Sequence, residues 1–231
     1  MRKILGRIKK TLGRLLLSQK EQRHSLVGPP QLWKMKREFQ IDFLKKHGLL
    51  ETHLLLDLGC GTLRGGLPII EYLEVGHYFG VEVRPEVLQE ANKELSEAGL
   101  IHKRPTLILL RDADSLPDHG FDFLWAFSVL IHMDDDTLRN ALLLVRKRLA
   151  DTGVCYANVS IGAGEEDEWQ GFPVVKRSLE FYKKIADESG LTVVDLGKLG
   201  TLGHRSGIAS QDAQHMLLFS VQKEAVCPHI P

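Results

Sequence analysis

Four mainly apolar runs, at residues 54–56, 78–83, 107–110 and 121–128, punctuate the first half of the chain, and between them the apolar positions take the spacing of a helix face. Runs with so little polar alternation mark strands covered on both sides, the condition of a parallel sheet between helices. The helices carry their own signals. Pro68, Ile69, Ile70, Tyr72 and Leu73 follow a glycine turn. Pro85 sits in the first turn of a helix whose Leu88, Ala91 and Leu95 share one face and which Gly99 ends. Asp134, Asp135 and Asp136 precede a helix with Leu138, Leu142, Val145 and Leu149 turned inward. Further strands are expected at residues 154–160, 191–197 and 215–222, with a helix at 178–190. The alternation predicts an α/β fold, an open and mostly parallel sheet with helices on both faces.

The beginning of the chain is different. Residues 1–17 place Ile4, Leu5, Ile8, Leu12, Leu15 and Leu16 within an arc of about 120° on a helical wheel, with Arg2, Lys3, Arg7, Lys9, Lys10 and Arg14 opposite. Such a basic amphipathic helix suits an anionic membrane surface, its apolar side entering the acyl boundary while the cations meet headgroups. A solvated tail and a helix packed on the protein itself are the alternatives, because Gly6 and Gly13 weaken the helix. The apolar run is too short to span a bilayer, and no cleavage site of a secretory signal follows it. Gly28, Pro29 and Pro30 interrupt the chain. A leading helix comes next, with Trp33, Lys36 and Arg37 ahead of Phe39, Ile41, Phe43 and Leu44, and Gly48 as its stop. Packing against the sheet is its main duty, with its aromatic and cationic groups available to a substrate. The expected division is a basic segment and linker over 1–28, a covering helix over 29–50 and the main domain over 51–231.

Charge sharpens that division. Lys plus Arg and Asp plus Glu are equal at 30 each, yet residues 1–46 hold 13 basic and 3 acidic side chains, so this segment is +10 and the remainder −10. No stripe of Lys and Arg crosses the acidic part, which argues against a nucleic-acid partner. Cys60, Cys155 and Cys227 are odd in number and lack C-x-x-C spacing, suggesting neither disulfides nor a zinc site and fitting a reducing cytoplasm.

The chemistry gathers at the strand ends. Asp57 closes the first run, and Gly59 and Gly61 leave the next turn bare, so that backbone N–H groups can approach a ligand. A dinucleotide fingerprint would need a third glycine at position 64, where Arg64 stands. Glu82 ends the second strand 25 residues after Asp57, and an acid there can accept hydrogen bonds from both hydroxyls of a ribose. Ser128 ends the fourth strand and His132 follows; an imidazole with pKa near 6.5 takes up a proton at neutral pH, and helix capping is its plainer duty. The three aspartates cap the next helix rather than bind a metal, and no metal site is indicated. Trp169 and Phe172 lie in an acidic loop from which they can close over a substrate, and His204 and Arg205, between Gly203 and Gly207, form a flexible polar loop offering further contacts.

Asp57, Gly59 and Gly61 resemble the first motif of the class I S-adenosylmethionine-dependent methyltransferases, in which an acid precedes Gly-x-Gly, and the likeness runs over about residues 50–222. Leu63 stands where that family often has a third glycine. The resemblance implies a Rossmann-like seven-stranded sheet with an antiparallel last strand, and S-adenosylmethionine as cofactor. It places Asp57, Gly59 and Gly61 in the cofactor turn, Glu82 on the ribose, Asp112 and Ala113 on the adenine with Asp114 as the alternative acid, and Ser128 at the ligand edge. His132 becomes the general base or acceptor-positioning group, with His204 as second candidate. The implied function is methylation of oxygen or nitrogen on a small-molecule, sugar or lipid-linked acceptor. A lipid acceptor and a place on the inner face of a membrane rest on residues 1–24 alone. A nicotinamide-dependent oxidoreductase and a noncatalytic cofactor-binding protein are the other readings.

Overall fold

In the computed structural model, which describes residues 18–111, 116–118, 120–162, 165–169 and 171–222, side chains alternate between two apolar layers along each central strand. β1 (Leu55–Leu58) sends Leu56 and Leu58 to one layer and Leu55 to the other. β4 (Phe121–Ala126) does the same with Leu124 and Ala126 against Phe123 and Trp125. The first layer packs on Leu138, Leu142 and Val145 of α5 (Asp135–Arg148) and on Tyr182, Ile185 and Ala186 of α6 (Leu179–Glu188). The second packs on α2 (Trp33–Lys46), α3 (Gly66–Tyr72) and α4 (Pro85–Glu97) through Phe43, Leu67, Ile70, Ala91 and Leu95. Helices therefore cover both faces.

β2 (Tyr78–Glu82) and β3 (Thr106–Leu109) extend the sheet to one side of β1, and β4 with β5 (Leu149–Ile161) to the other, all parallel. β9 (His215–Val221) runs antiparallel between β5 and β8 (Leu191–Lys198). The order β3-β2-β1-β4-β5-β9-β8 is the expected seven-stranded sheet with an antiparallel last strand. Because the winding direction reverses between β1 and β4, a crevice opens at the carboxyl ends of those strands.

Two stretches depart from expectation. The acidic loop folds into a hairpin, β6 (Glu165–Trp169) and β7 (Phe172–Arg177), which raises the strand number to nine and joins β5 in parallel at Ser160–Lys176 and Ile161–Arg177. Residues 18–24, expected to share the membrane-facing tail, instead contain α1 (Gln19–His24), whose Ser18 and Glu21 form a capping box. Arg23 Nε donates to Glu94 Oε1 at 2.6 Å, and the His24 ring stacks on Trp33 at 3.4 Å between centroids, so both side chains are turned into the protein and away from any headgroup. Among the described residues no helix is long and apolar enough to cross a membrane.

Candidate functional site

The crevice is a cavity of about 1050 Å³, and Asp57, Gly59, Gly61, Glu82, Ser128 and His132 all line it. Asp57 lies in β1 between Gly80 and Trp125, is 4% exposed and accepts the Tyr78 hydroxyl at 2.6 Å. Burial pushes its carboxyl up to about 7, with the charge of Glu82 adding to the effect against the Tyr78 hydrogen bond. The turn that follows needs its glycines. Gly59 and Gly61 have φ of +70° and +57°, and a Cβ on either would stand 2.6 Å from Val129 and Val27 respectively. Leu63, where the resembled motif often has glycine, holds φ of +61° with its side chain fully buried, so the backbone keeps the left-handed turn without glycine.

Glu82, at the tip of β2, is buried and turned back on its own turn. Its Oε1 accepts from the backbone N–H of Val83 at 2.9 Å and of Arg84 at 3.1 Å, while Oε2 meets only Arg84 Nη2 at 3.4 Å. One carboxylate oxygen is therefore fixed, and among the described residues the other has a single long contact. Arg84 also donates to the Leu26 carbonyl and lies 5.7 Å from the Phe172 ring, tying the strand tip to the N-terminal segment and to the hairpin. Leu110 and Arg111 carry the lining beyond β3; Asp112, Ala113 and Asp114 lie outside the described residues.

At the end of β4 the backbone turns sharply. Ser128 has φ of +61°, and its N–H donates to Asn158 Oδ1 at 2.6 Å, while Asn158 Nδ2 donates to Gln214 Oε1 at 2.7 Å. β5 and β9 thus pin the strand tip. His132 donates Nδ1–H to the Pro173 carbonyl at 2.8 Å and stacks near Trp169 at 5.4 Å. Since a carbonyl only accepts, this bond fixes the tautomer and leaves Nε2 as an acceptor. Burial holds the imidazole below its ordinary pKa, the Pro173 bond opposing this in part. Asp134 accepts Thr137 N–H at 2.8 Å, the capping role expected of the aspartate run, whereas His132 makes no such cap.

His204 is placed differently. Its ring is 1% exposed, packed edge-on against Phe39, and does not line the cavity; Nδ1 bonds Asp212 Oδ1 at 2.8 Å. Asp212, in α7 (Ala209–Asp212), also accepts from Ser206 and Gly207, so the loop read from its glycines as flexible is braced by one carboxylate. Two polar residues escaped the sequence reading, Asn158 and Gln214, which look like ordinary polar positions; Lys36, named there on the leading helix, is 6% exposed on the cavity wall.

A doubly wound sheet with a reversed last strand, and a glycine turn and an acid near the strand ends at its switch point, define a Rossmann-like fold. Comparisons with known proteins agree. A family model described as a methyltransferase domain matches residues 56–155. A probable methyltransferase, ltbC, of Aspergillus luteorubrus is 26% identical over 122 residues, covering 50% of this chain, which spans 41% of that protein's length. Among solved structures, magnesium protoporphyrin IX methyltransferase of Synechocystis PCC 6803, with bound S-adenosylmethionine, superposes with a TM-score of 0.61 at 14% identity, covering 83% of this chain and 81% of that one. The CcbJ methyltransferase of Streptomyces caelestis gives 0.62 at 15% identity, covering 84% and 97%. The methyltransferase-domain model thus matches the stretch from β1 into β5, and the solved methyltransferases share the fold of this chain.

Proposed function

We propose that this protein methylates an oxygen or nitrogen of a small-molecule acceptor, with S-adenosylmethionine as donor. The observation that carries the reading is the one cavity, at the switch point, that joins Asp57, Gly59, Gly61, Glu82 and Ser128 to His132. The fit to a nucleoside is chemical: a glycine cradle that a Cβ would fill, and a buried, cavity-lining carboxylate with one oxygen held by a single long contact. When bound, the cofactor supplies a methyl already made electrophilic by its sulfonium. Glu82 would receive the ribose hydroxyls, and Asp112 and Ala113 the adenine by resemblance to the family. Ser128 fixes the strand end beside the acceptor space, and Trp169 and Phe172 wall that space against water. With the methyl donor bound, His132 Nε2 would accept the O–H or N–H proton that the acceptor gives up on methylation.

The aromatic wall and the apolar side chains of Met133 and Val174 suit an acceptor with an apolar body, and sugar or lipid-linked molecules are included in the proposal. A cytoplasmic location rests on the cysteines, of which Cys60 and Cys155 are free and buried; contact with the inner face of a membrane rests on residues 1–17. The test is transfer of labelled methyl from S-adenosylmethionine into fractionated cell extract, with the product identified by mass. A labelled product of low molecular mass supports a small-molecule acceptor. Binding of the cofactor without any labelled product from any fraction would favour a noncatalytic binding protein.

A further inference from the structure

Arg84, the residue that leads from β2 into α4, stands where three parts of the cavity wall meet. Toward β2 its Nε and Nη2 donate to Glu82 Oε1 and Oε2 at 3.3 and 3.4 Å. Toward the N-terminal segment its Nη1 donates to the Leu26 carbonyl at 3.3 Å. Toward the hairpin its guanidinium carbon lies 6.0 Å from the ring centroid of Trp169 and 5.7 Å from that of Phe172. Those two rings flank His132, at 5.4 and 6.2 Å between centroids. One guanidinium therefore connects the acid assigned to the ribose with the aromatic wall beside the assigned base.

None of these contacts is tight. Charge-assisted N–H···O bonds commonly run about 2.7–2.9 Å, so the polar contacts of Arg84 are stretched, and a cation about 6 Å from a ring centroid is at the outer limit of attraction. The guanidinium is shared among partners that it does not fully satisfy. Glu82 Oε2 has no other partner among the described residues, so a ligand hydroxyl that takes this oxygen competes directly with Nη2. A hydroxyl bonds a carboxylate at about 2.5–2.7 Å and outweighs so long a contact.

We propose that Arg84 is a positioning residue that couples the two halves of the cavity: a nucleoside diol on Glu82 releases Nη2, and the guanidinium settles on Trp169 and Phe172. The acceptor wall beside His132 is then set once the donor is in place. The proposal rests on the methyltransferase reading for the nucleoside. The guanidinium's position is readable at His132, whose pKa is lowered by burial, opposed by the Pro173 bond, and lowered further by the Arg84 charge. The other charged groups on the elements around the imidazole are Asp134, which caps α5, Asp135, paired with Arg177 of β7, Lys176 of β7 and Glu168 of β6, and all stay in place in the variants below.

The test is NMR on the full chain, following the His132 ring and the Trp169 indole N–H, assigned with His132→Gln and Trp169→Phe, as 5′-methylthioadenosine is added. This nucleoside keeps the ribose hydroxyls and brings no charge. In the wild type it should shift the Trp169 signal and lower the His132 midpoint by a few tenths of a pH unit. Arg84→Gln should raise the His132 midpoint before nucleoside is added and abolish both responses, whereas a shift caused by direct contact with the nucleoside would persist. Arg84→Lys keeps the charge without the planar fork, so it should hold the midpoint near the wild-type value and lose the Trp169 response, which separates charge from geometry should Arg84→Gln not fold. The coupling is overturned if the nucleoside binds the wild type and moves neither signal, or if the Trp169 signal of either variant responds as the wild type does. Failure of the nucleoside to bind the wild type would reject the methyltransferase reading instead. The variants compared without nucleoside then still decide whether Arg84 holds the aromatic wall, an unmoved Trp169 signal overturning it.

Discussion

Three side chains divide the proposed chemistry by how each is desolvated. His132 has its Nδ1–H taken by the Pro173 carbonyl and its pKa lowered by burial, so at neutral pH Nε2 is free to receive a proton. His132→Gln and His132→Ala are expected to keep cofactor binding and to slow transfer by about 100-fold or more. The wild-type rate should fall on the acid side with a midpoint below 6.5, since the base must be neutral; a rate independent of pH down to 5 would remove His132 from the role. Glu82→Ala removes the acceptor offered to the ribose, and calorimetry should show binding weakened by about 1–3 kcal/mol. Asp57 acts through stability. Its folded pKa of about 7 lies above the ordinary 3.8, so the neutral carboxyl's contribution is complete below 3.8 and is lost as pH rises through about 7. Asp57→Asn, which keeps an oxygen for the Tyr78 hydroxyl, should therefore gain in melting temperature relative to wild type between pH 5 and pH 8. The comparison is with wild type at each pH because Lys36, its pKa depressed, contributes in the opposite sense, losing stability as pH falls through about 7.

Two elements that the sequence pattern did not show bracket the cavity mouth. The segment from α1 to Pro29 crosses it as a strap: Arg23 is bound to Glu94 and Glu97 of α4, Arg84 donates to Leu26, Arg64 donates to Val27, and Val27, Gly28 and Pro29 line the cavity. Arg23→Ala should loosen the strap by about 1–3 kcal/mol, read as faster proteolysis between residues 18 and 30 and faster release of bound cofactor; equal proteolysis in both proteins would show that the strap is held elsewhere. Joined to it through Arg84, the β6–β7 hairpin brings Trp169 and Phe172 against His132. Neither element was legible: the strap depends on partners far off in the chain, Arg23 on residues 71 and 74 positions away, and the hairpin is an acidic segment whose little alternation reads as a loop. Strand ends were legible for the converse reason. At Asp57, Glu82 and Ser128 an apolar run breaks within two residues of a strand's carboxyl end, and the break itself marks the site. Lys36 could not be found that way, since a lysine on an amphipathic helix reads as solvated until the helix closes over a cavity.

At the scale of the molecule, the open and mostly parallel sheet followed from strands alternating with helices, and its seven strands and antiparallel last strand from the family likeness. Charge is the remaining large-scale feature: the first 46 residues are +10 and the rest −10, while residues 1–17 carry six basic side chains and no acid. Glu94 and Glu97 neutralise Arg23 within the fold, so a membrane-directed role falls to residues 1–17 rather than to 1–24. If the Ile and Leu arc of that segment enters the acyl boundary, binding combines buried apolar area with attraction worth about 1 kcal/mol for each cation near an anionic surface. The full chain should then sediment with vesicles containing phosphatidylserine and stay in solution with neutral ones. Raising salt from 0.1 to 0.5 M should release much of it, as the Debye length shortens from about 10 Å toward a few ångströms. Deleting residues 1–17 should abolish sedimentation while leaving α1, and S-adenosylhomocysteine binding, in place. Equal partition onto neutral and anionic vesicles, or sedimentation that survives the deletion, would assign the segment to the solvent instead.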